Sequence, residues 1–301
     1  MSVTNQQEQR LFSWNGLDFQ APSSWEIIVS GPTHILIEKN FQPVMEIRWQ
    51  HSSPTISTPE QIRKRLQKEL EIQISDVPLP AALRPLRHNF KTIGLSWHPK
   101  KQLNGLIATC HKCGTLFLCR FYPHEEISPD TLFQQLNSMN CHTDRKGEKT
   151  WKTQDFSLFL PSPFTLTDYT FAAGLTKLSF CSEHLHIHTC RLAPAKERLA
   201  TTCIEKTLET LHGQKYFHSR TRENAINNTC HSNSSGETCE QWSTPSFTRQ
   251  ILMRFKKKKP FFWARIWHLP EQDRVLAIVF ESIRPISEEV ASSICKRYEI
   301  T

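Results

Sequence analysis

The sequence predicts an α+β fold made twice: two similar domains in tandem, each an antiparallel sheet packed by helices. Three observations carry this. Trp14-Asn15-Gly16-Leu17-Asp18-Phe19 recurs as Trp151-Lys152-Thr153-Gln154-Asp155-Phe156, and each copy leads into a Pro-Ser-x-aromatic segment, Pro22-Ser23-Ser24-Trp25 and Pro161-Ser162-Pro163-Phe164. Both halves also close on an apolar strand, a short turn, Ile-Ser and an amphipathic helix, GTLFLCRFYPHEEISPDTLFQQLNSMN from Gly114 and DRVLAIVFESIRPISEEVASSICKRYE from Asp273. Finally, successive strand candidates are joined by short turns, which favours antiparallel pairing because parallel pairing needs a long crossover. Helices on an antiparallel sheet make an α+β domain.

A chain of 301 residues suits two domains, since single cores stop growing near roughly 250–300 residues. The repeat sets the expected organisation: a flexible N-terminus over 1–11, a first repeat over 12–142, a linker over 143–150 (TDRKGEKT) and a second repeat over 151–301. A polar insertion, 214–245, is rich in Asn, Ser and Thr and reads as a mobile surface loop.

The first half opens with Phe12 to Gln20, followed by short strands at Glu26–Val29 and His34–Lys39. Val44 to Gln50 alternates, with Met45, Ile47 and Trp49 on one face and Glu46 and Arg48 on the other. Thr58-Pro59-Glu60-Gln61 signals a helix start, with Thr at N-cap, Pro at N1 and Gln at N3. Ile62, Leu66 and Leu70 then form one apolar stripe. A Pro-rich connection, Val77 to Pro85, leads to strands at about Phe90–His98, Gly105–Thr109 and Thr115–Tyr122. The closing helix starts at Ser128-Pro129 and buries Leu132, Phe133, Leu136 and Met139. The second half repeats this order, with strands near Phe156–Leu160, Thr170–Ala172, Thr176–Phe180 and His184–Cys190, and a helix over Ala195 to Leu211. Strands at Phe247–Phe255, Phe261–His268 and Val275–Glu281 and a helix after Ser287 complete it.

This order, with the opening F-x-x-P-x-x-W at Phe19, Pro22 and Trp25, resembles the PsbP-like and DcrB-like α+β family, as two copies over nearly the whole chain. The resemblance implies small accessory or interaction domains, often exported, with no shared catalytic set. Fold analogy alone transfers no functional residue.

Composition narrows the class. Hydrophobic residues make up 38% and Pro outnumbers Gly 18 to 9, which suits globular domains with ordered loops. The N-terminus shows no basic region followed by an apolar one, and no apolar run approaches a membrane span, so a cytoplasmic protein is expected. The ten cysteines are scattered, with Cys119, Cys181, Cys203 and Cys295 in apolar runs, which suits a reduced compartment. Asn227-Asn228-Thr229 and Asn233-Ser234-Ser235 match glycosylation acceptors, which carry weight only in an exported chain. The net charge of +8 permits acidic proteins, anionic surfaces or nucleic acid as partners.

Four constellations are candidate sites. Cys110-His111-Lys112-Cys113-Gly114 has the shape of a zinc knuckle, with Cys110, Cys113 and His111 as ligands; tetrahedral zinc needs four, and no second C-x-x-C exists. Cys230 and Cys239, with His231 between them, are not expected to supply the remainder. A redox dithiol is the other functional reading, although such pairs sit at helix N-termini and this one is placed at a hairpin tip. Structural thiols are the bland reading. Second, His184, His186, His188 and Cys190 share one strand face, a metal-chelating pattern or a solvated sheet surface. The corresponding first-half strand carries Glu46 and Arg48 in the slots of His186 and His188, which favours the solvated surface.

Third, Lys256, Lys257, Lys258 and Lys259 precede Phe261-Phe262-Trp263, and the matching first-half turn carries Lys100 and Lys101. Basic tips beside aromatics could bind phosphates and bases, or simply keep the tips soluble. Trp97, Phe262 and Trp263 are expected to face the core. Last, Arg63, Lys64, Arg65 and Lys68, near Glu60, Glu69 and Glu71, read as a solvated helix face.

Glycine-rich phosphate loops, G-x-S-x-G and H-E-x-x-H are absent from the sequence. The expectation is therefore a non-catalytic interaction or accessory protein, binding a protein partner or anionic surface through the basic tips or the groove between its domains. The alternatives are a metal or thiol-redox protein using Cys110 and Cys113, with zinc as the metal, and a nucleic-acid-binding protein.

Overall fold

The computed structural model describes residues 8–52, 58–97, 102–142, 147–153, 155–212, 226–233, 236–243, 250, 259 and 261–301. Two compact units emerge, one of Met1–Lys146 with Thr150–Gln154 and one of Gly147–Lys149 with Asp155–Thr301. The start of the second sequence copy therefore packs as part of the first unit.

In the first unit, β1 (Gln9–Trp14) and β2 (Leu17–Pro22) form a hairpin. The segment expected as one strand from Phe12 turns at Asn15-Gly16, both with positive φ. There follow β3 (Glu26–Gly31), β4 (His34–Lys39), β5 (Gln42–Gln50), α1 (Pro59–Leu70), β6 (Ser75–Val77), a 3-10 helix (Ala81–His88), β7 (Phe90–Ser96), β8 (Gly105–Cys110), β9 (Leu116–Phe121) and α2 (Pro129–Asn137). Seven of these strands make one antiparallel sheet in the order β3-β4-β5-β9-β8-β7-β6. The opening strand of the second copy, β10 (Glu148–Thr153), pairs with β1 through Ser13 and Lys152, and Trp151 meets Trp14 edge-on with ring centroids 5.3 Å apart.

The sheet has two covered faces. Under α1, Leu66 packs with Ile74, Leu95, Ile107 and Leu116. On the other face the alternation of β5 places Met45, Ile47 and Trp49 opposite Phe121, Cys119 and Phe117, all buried. Here α2 packs against the 3-10 helix, burying Leu132, Phe133 and Leu136.

The N-terminus of α1 carries the capping box that its sequence predicts. Gln61 N donates to Thr58 Oγ1, and Thr58 N donates to Gln61 Oε1 at 2.8 Å. Thr58→Ala is expected to cost about 1 kcal/mol, measured by urea denaturation followed by circular dichroism.

The second unit contains β11 (Phe156–Pro161), β12 (Thr165–Ala172), β13 (Leu175–Cys181), β14 (Leu185–Leu192), α3 (Ala195–Leu199), α4 (Ile204–His212), β15 (Ile226–Asn233), β16 (Gly236–Ser243), β17 (Phe261–Leu269), β18 (Arg274–Ser282), α5 (Glu288–Cys295) and β19 (Tyr298–Ile300). Its sheet runs β12-β13-β14-β18-β17-β16-β15, which reproduces the first unit's order strand for strand. Strand β19 pairs with β11. Beneath α3 and α4 lies a core of Cys190, Leu192, Leu208, Phe262, Ala277 and Val279, among others.

Several expected elements come out differently. Four described strands, not three, lie between the first helix and the closing helix of each unit. In the first, β6 ends at the start of the Pro-rich connection and the 3-10 helix fills most of the rest. In the second, the insertion at 214–245 contains the hairpin β15–β16, whose regular pairing overrides its polar, loop-like composition. The single helix over Ala195–Leu211 is two, α3 and α4. It breaks at Ala200-Thr201-Thr202-Cys203, where the Thr201 hydroxyl donates to Arg198 O at 3.3 Å in competition with the backbone ladder. Of the expected N-terminal tail, residues 1–7 lie outside the described residues and β1 begins at Gln9. Of the expected linker, 143–146 lie outside them and Glu148 begins β10. Of the strand expected over Phe247–Phe255, all but Gln250 lies outside them, and Gln250 is helical.

Candidate metal centre

Cys110 ends β8, and the chain turns through His111, Lys112 and Cys113 before β9. Gly114 closes the turn with φ +69°, its N–H donating to Cys110 O at 3.0 Å, while Cys110 N donates to Thr115 O at 2.9 Å. The turn aims an amide back at the first sulfur: Lys112 N lies 3.4 Å from Cys110 Sγ. This is the knuckle arrangement that the C-x-x-C-G spacing predicts.

Two further groups able to ligate a metal come from the segment after α2. Asn140 bridges to Asp18 through two backbone hydrogen bonds of 2.8 Å, and Asn140 Oδ1 accepts from His142 N at 3.0 Å. This local turn holds Cys141 and His142 against the knuckle. Cys110 Sγ lies 3.2 Å from His142 Nε2, and Cys113 Sγ lies 3.7 Å from Cys141 Sγ. The ligand atoms of Cys110, Cys113, Cys141 and His142 all lie within 4.8 Å of one another.

A tetrahedral metal with sulfur at about 2.3 Å and nitrogen at about 2.0 Å sets ligand–ligand separations of about 3.8 and 3.5 Å. The observed pairs sit close to those edges, so the residues fit a four-coordinate metal. Cys110 is buried and its three companions are half-buried. Burial works against the Cys110 thiolate, but the amides of Cys113 and Lys112, the Cys141 thiol and His142 outweigh it and bring the group down to about 6. Cys141 is pushed up, by burial first and then by the neighbouring sulfurs. Thiolates held this close would repel one another, and a dication among them would remove that conflict.

His111, the third ligand expected from the motif, points elsewhere: its Nε2 lies 3.3 Å from Arg87 O. His142 occupies the ligand position instead. Among the described residues a second group brings ligand atoms together, Glu205 with Cys230 and Cys239. Those two cysteines stand directly opposite each other on β15 and β16 and are joined as a disulfide, a pairing that their spacing did not suggest.

The histidine face of β14 is half-buried rather than solvated, because α4 covers part of it. Cys190 is fully buried there, and burial pushes its thiol up to about 12. Each imidazole has a different neighbour: His184 Nε2 lies 3.2 Å from Glu183, His186 Nε2 lies 3.2 Å from Cys181 Sγ, and His188 Nδ1 lies 2.9 Å from Ser179 Oγ. Burial holds both His186 and His188 below the ordinary imidazole value.

Of the basic tips, Lys100, Lys101, Lys256, Lys257 and Lys258 lie outside the described residues. Lys259 Nζ approaches Glu281 Oε2 at 3.7 Å. Phe262 and Trp263 are buried, and Trp97 packs at the α1 core. On α1, Arg63 pairs with Asp76 across the strand gap at 2.9 Å, and Glu69 meets Arg48 of the sheet at 3.3 Å. No described helix is long and apolar enough to cross a membrane.

No protein-family model and no curated protein matches the chain. Among solved structures, the MucA/MucB complex of Pseudomonas aeruginosa aligns over 97% of this chain and 86% of that chain, at 9% identity and a TM-score of 0.19. At that score the similarity carries no argument about fold or function.

Proposed function

We propose that this is a non-catalytic interaction protein of two tandem α+β units, whose first unit is held by structural zinc at Cys110, Cys113, Cys141 and His142. The observation that carries this reading is the closed ligand set. Four protein ligands complete a tetrahedron and leave no position for water or substrate, the arrangement of structural rather than catalytic zinc. Sulfur-rich ligation favours zinc over harder divalent ions.

The duplication supports the same reading. With the closings aligned from Gly114 and Asp273, the four ligands fall on Leu269, Gln272, Ile300 and Thr301 in the second copy. None of those can bind zinc, so the ligands occur as a set in one copy and are missing as a set from the other. A redox role for Cys110 and Cys113 is less well supported. Their turn joins two strands rather than opening a helix, and Cys113 already faces Cys141.

The accessory role rests on the PsbP-like resemblance and on a scaffold whose shared residues are apolar. The partner is a protein or anionic surface engaged by the basic segments around Lys100–Lys101 and Lys256–Lys259, consistent with a net charge of +8. A cytoplasmic setting suits thiolate ligation, whereas the Cys230–Cys239 disulfide fits an oxidising one.

The zinc reading is tested by elemental analysis of protein purified without an affinity tag. One zinc per chain is expected, lost in Cys141→Ser and in His142→Ala with far-ultraviolet circular dichroism retained in the second unit. Metal well below one per chain in the wild type would end the proposal, as would full retention in Cys141→Ser. Partner capture that survives charge reversal of both lysine segments would remove the basic-surface part alone.

A further inference from the structure

The duplicated sheet permits a comparison of one place in two settings. Aligning Phe121 with Phe280 and reading across the strand registers, Glu46 corresponds to His188, Arg48 to Cys190, Arg120 to Val279 and Tyr122 to Glu281. One strand further, His34 corresponds to Lys177 and Leu36 to Ser179.

In the first unit this place is filled. Glu46 is buried and accepts from Arg48 Nε at 2.6 Å and Tyr122 OH at 3.0 Å, with His34 Nε2 2.7 Å away. Arg48 reaches on to Glu69 of α1, and the Arg120 guanidinium lies over the Tyr122 ring at 4.9 Å. The space left between Glu46, Arg48, Glu69 and Arg120 is about 10 Å³.

In the second unit both arginines are replaced by small residues, Cys190 and Val279, and a cavity of about 190 Å³ opens at the same place. Its polar groups are Lys177, Ser179, His188 and Glu281, and Leu211, Phe262 and Val279 supply apolar wall. Glu281 is only 3% exposed, with His188 Nε2 at 3.9 Å and Lys259 Nζ at 3.7 Å. Lys177 Nζ donates to Leu211 O near the end of α4 at 2.7 Å.

We propose that this cavity binds a small zwitterion of the α-amino-acid class, its ammonium at Glu281 and its carboxylate at Lys177, with its side chain against Leu211 and Phe262. Size comes first in the argument. The cavity is smaller than the roughly 300 Å³ at which pockets for drug-sized ligands begin, so the occupant is a metabolite-sized molecule. Charge then selects among small molecules. Among the described residues one ammonium, Lys177, and one carboxylate, Glu281, line the cavity, with Lys259 paired to Glu281 beside it, so a simple cation meets repulsion from Lys177 and a simple anion meets Glu281. A molecule carrying both signs satisfies both. In the first unit the same region seats the Arg48 guanidinium against the carboxylates of Glu46 and Glu69.

Isothermal titration of the full chain with L-leucine, L-serine and L-arginine tests this, with isopentylamine and 4-methylpentanoate as the two halves of leucine. Saturable binding of at least one amino acid is expected, at least ten-fold tighter than either half. Glu281→Gln preserves shape and should weaken that binding at least ten-fold. Ser179→Leu and Val279→Arg, which restore first-unit residues, should abolish it, and the first of these guards against misfolding of the second. The proposal is overturned by silence from all three amino acids up to about 10 mM, by equal binding of one half, or by unchanged binding in folded Glu281→Gln and Ser179→Leu. The cavity lies in the second unit and shares no residue with the zinc ligands, so failure of either proposal leaves the other standing.

Discussion

Cys141→Ser and His142→Ala are each expected to lower the melting temperature of the first unit by about 10 °C while leaving the second unit's transition in place. A metal that binds the folded state alone stabilises it by about 4 kcal/mol when its free concentration is a thousand times its dissociation constant. In a unit of about 150 residues, each kcal/mol moves the midpoint by about 2–4 °C. The effect is smaller than in a zinc finger, which has no structure without its metal. This unit has its own cores, with Leu66, Leu95 and Ile107 under α1 and Met45, Ile47 and Phe117 on the other face. What a bound metal would add is the attachment of the segment after α2 to the β8–β9 turn. Scanning calorimetry resolves the two units, and a chelator should reproduce the shift in the wild type and do nothing further to either variant. Midpoints that match the wild type, with no response to chelator, would refute a structural role.

Half of that centre was legible in the sequence. Cys110 and Cys113 announce themselves by local spacing and by the glycine that closes the turn. Cys141 and His142 are adjacent residues, 28 and 32 positions from the ligands they meet, and no spacing rule joins such a pair to a knuckle. Their approach depends on the Asp18–Asn140 bridge, a tertiary contact. One signal was available: aligned with the second copy, Cys141 and His142 fall on Ile300 and Thr301, so they differ between copies just as Cys110 and Cys113 do. His111 reads as a ligand because it lies inside the motif, but a residue next to a knuckle cysteine projects away from the sulfurs.

The antiparallel pairing of successive strands was legible for a different reason, whereas the placing of β5 beside β9 was not. Hairpin-length turns leave few ways to arrange successive strands, and alternation assigns the faces of β5 correctly. Composition misleads where pairing is set by neighbours. The run Ile226 to Ser243 is polar enough to read as a loop, yet β16 lies between β15 and β17 and takes its regularity from them. The sequence repeat sets His186 and His188 against Glu46 and Arg48, two residues out of step with the strand registers. The observed register pairs Glu46 with Arg120 and His188 with Val279, which moves the comparison and exposes the cavity beside Glu281.

Asp155→Asn is expected to destabilise the second unit by about 3–5 kcal/mol at neutral pH, the cost of leaving a buried charge without its partner. The repeated Asp has different tasks in the two copies. In the first, the backbone of Asp18 bridges to Asn140. In the second, Asp155 Oδ2 accepts from Arg191 Nη2 and from Arg274 Nε at 2.7 Å. Arg191 stands where the first unit has Trp49, on a buried face that it shares with Ile187 and Thr189, and is only 8% exposed. Arg274 can turn toward solvent, but Arg191 cannot.

Burial alone would raise the Asp155 carboxyl, yet the two guanidiniums outweigh it and hold the group below the usual aspartate value. Its contribution is therefore fully present above the unfolded value of about 3.9 and is lost as pH falls through the lower folded value. The gap between wild type and Asp155→Asn in urea denaturation should be widest near pH 7 and close progressively below about pH 4. Replacing the pair together, Asp155→Leu with Arg191→Met, should restore most of the loss, because an apolar pair of similar volume carries no desolvation cost. A loss under about 1 kcal/mol in Asp155→Asn would mean that Arg191 finds water or another acceptor. A double replacement as damaging as the single one would mean that packing, rather than charge, ties β14 to the turn before β11.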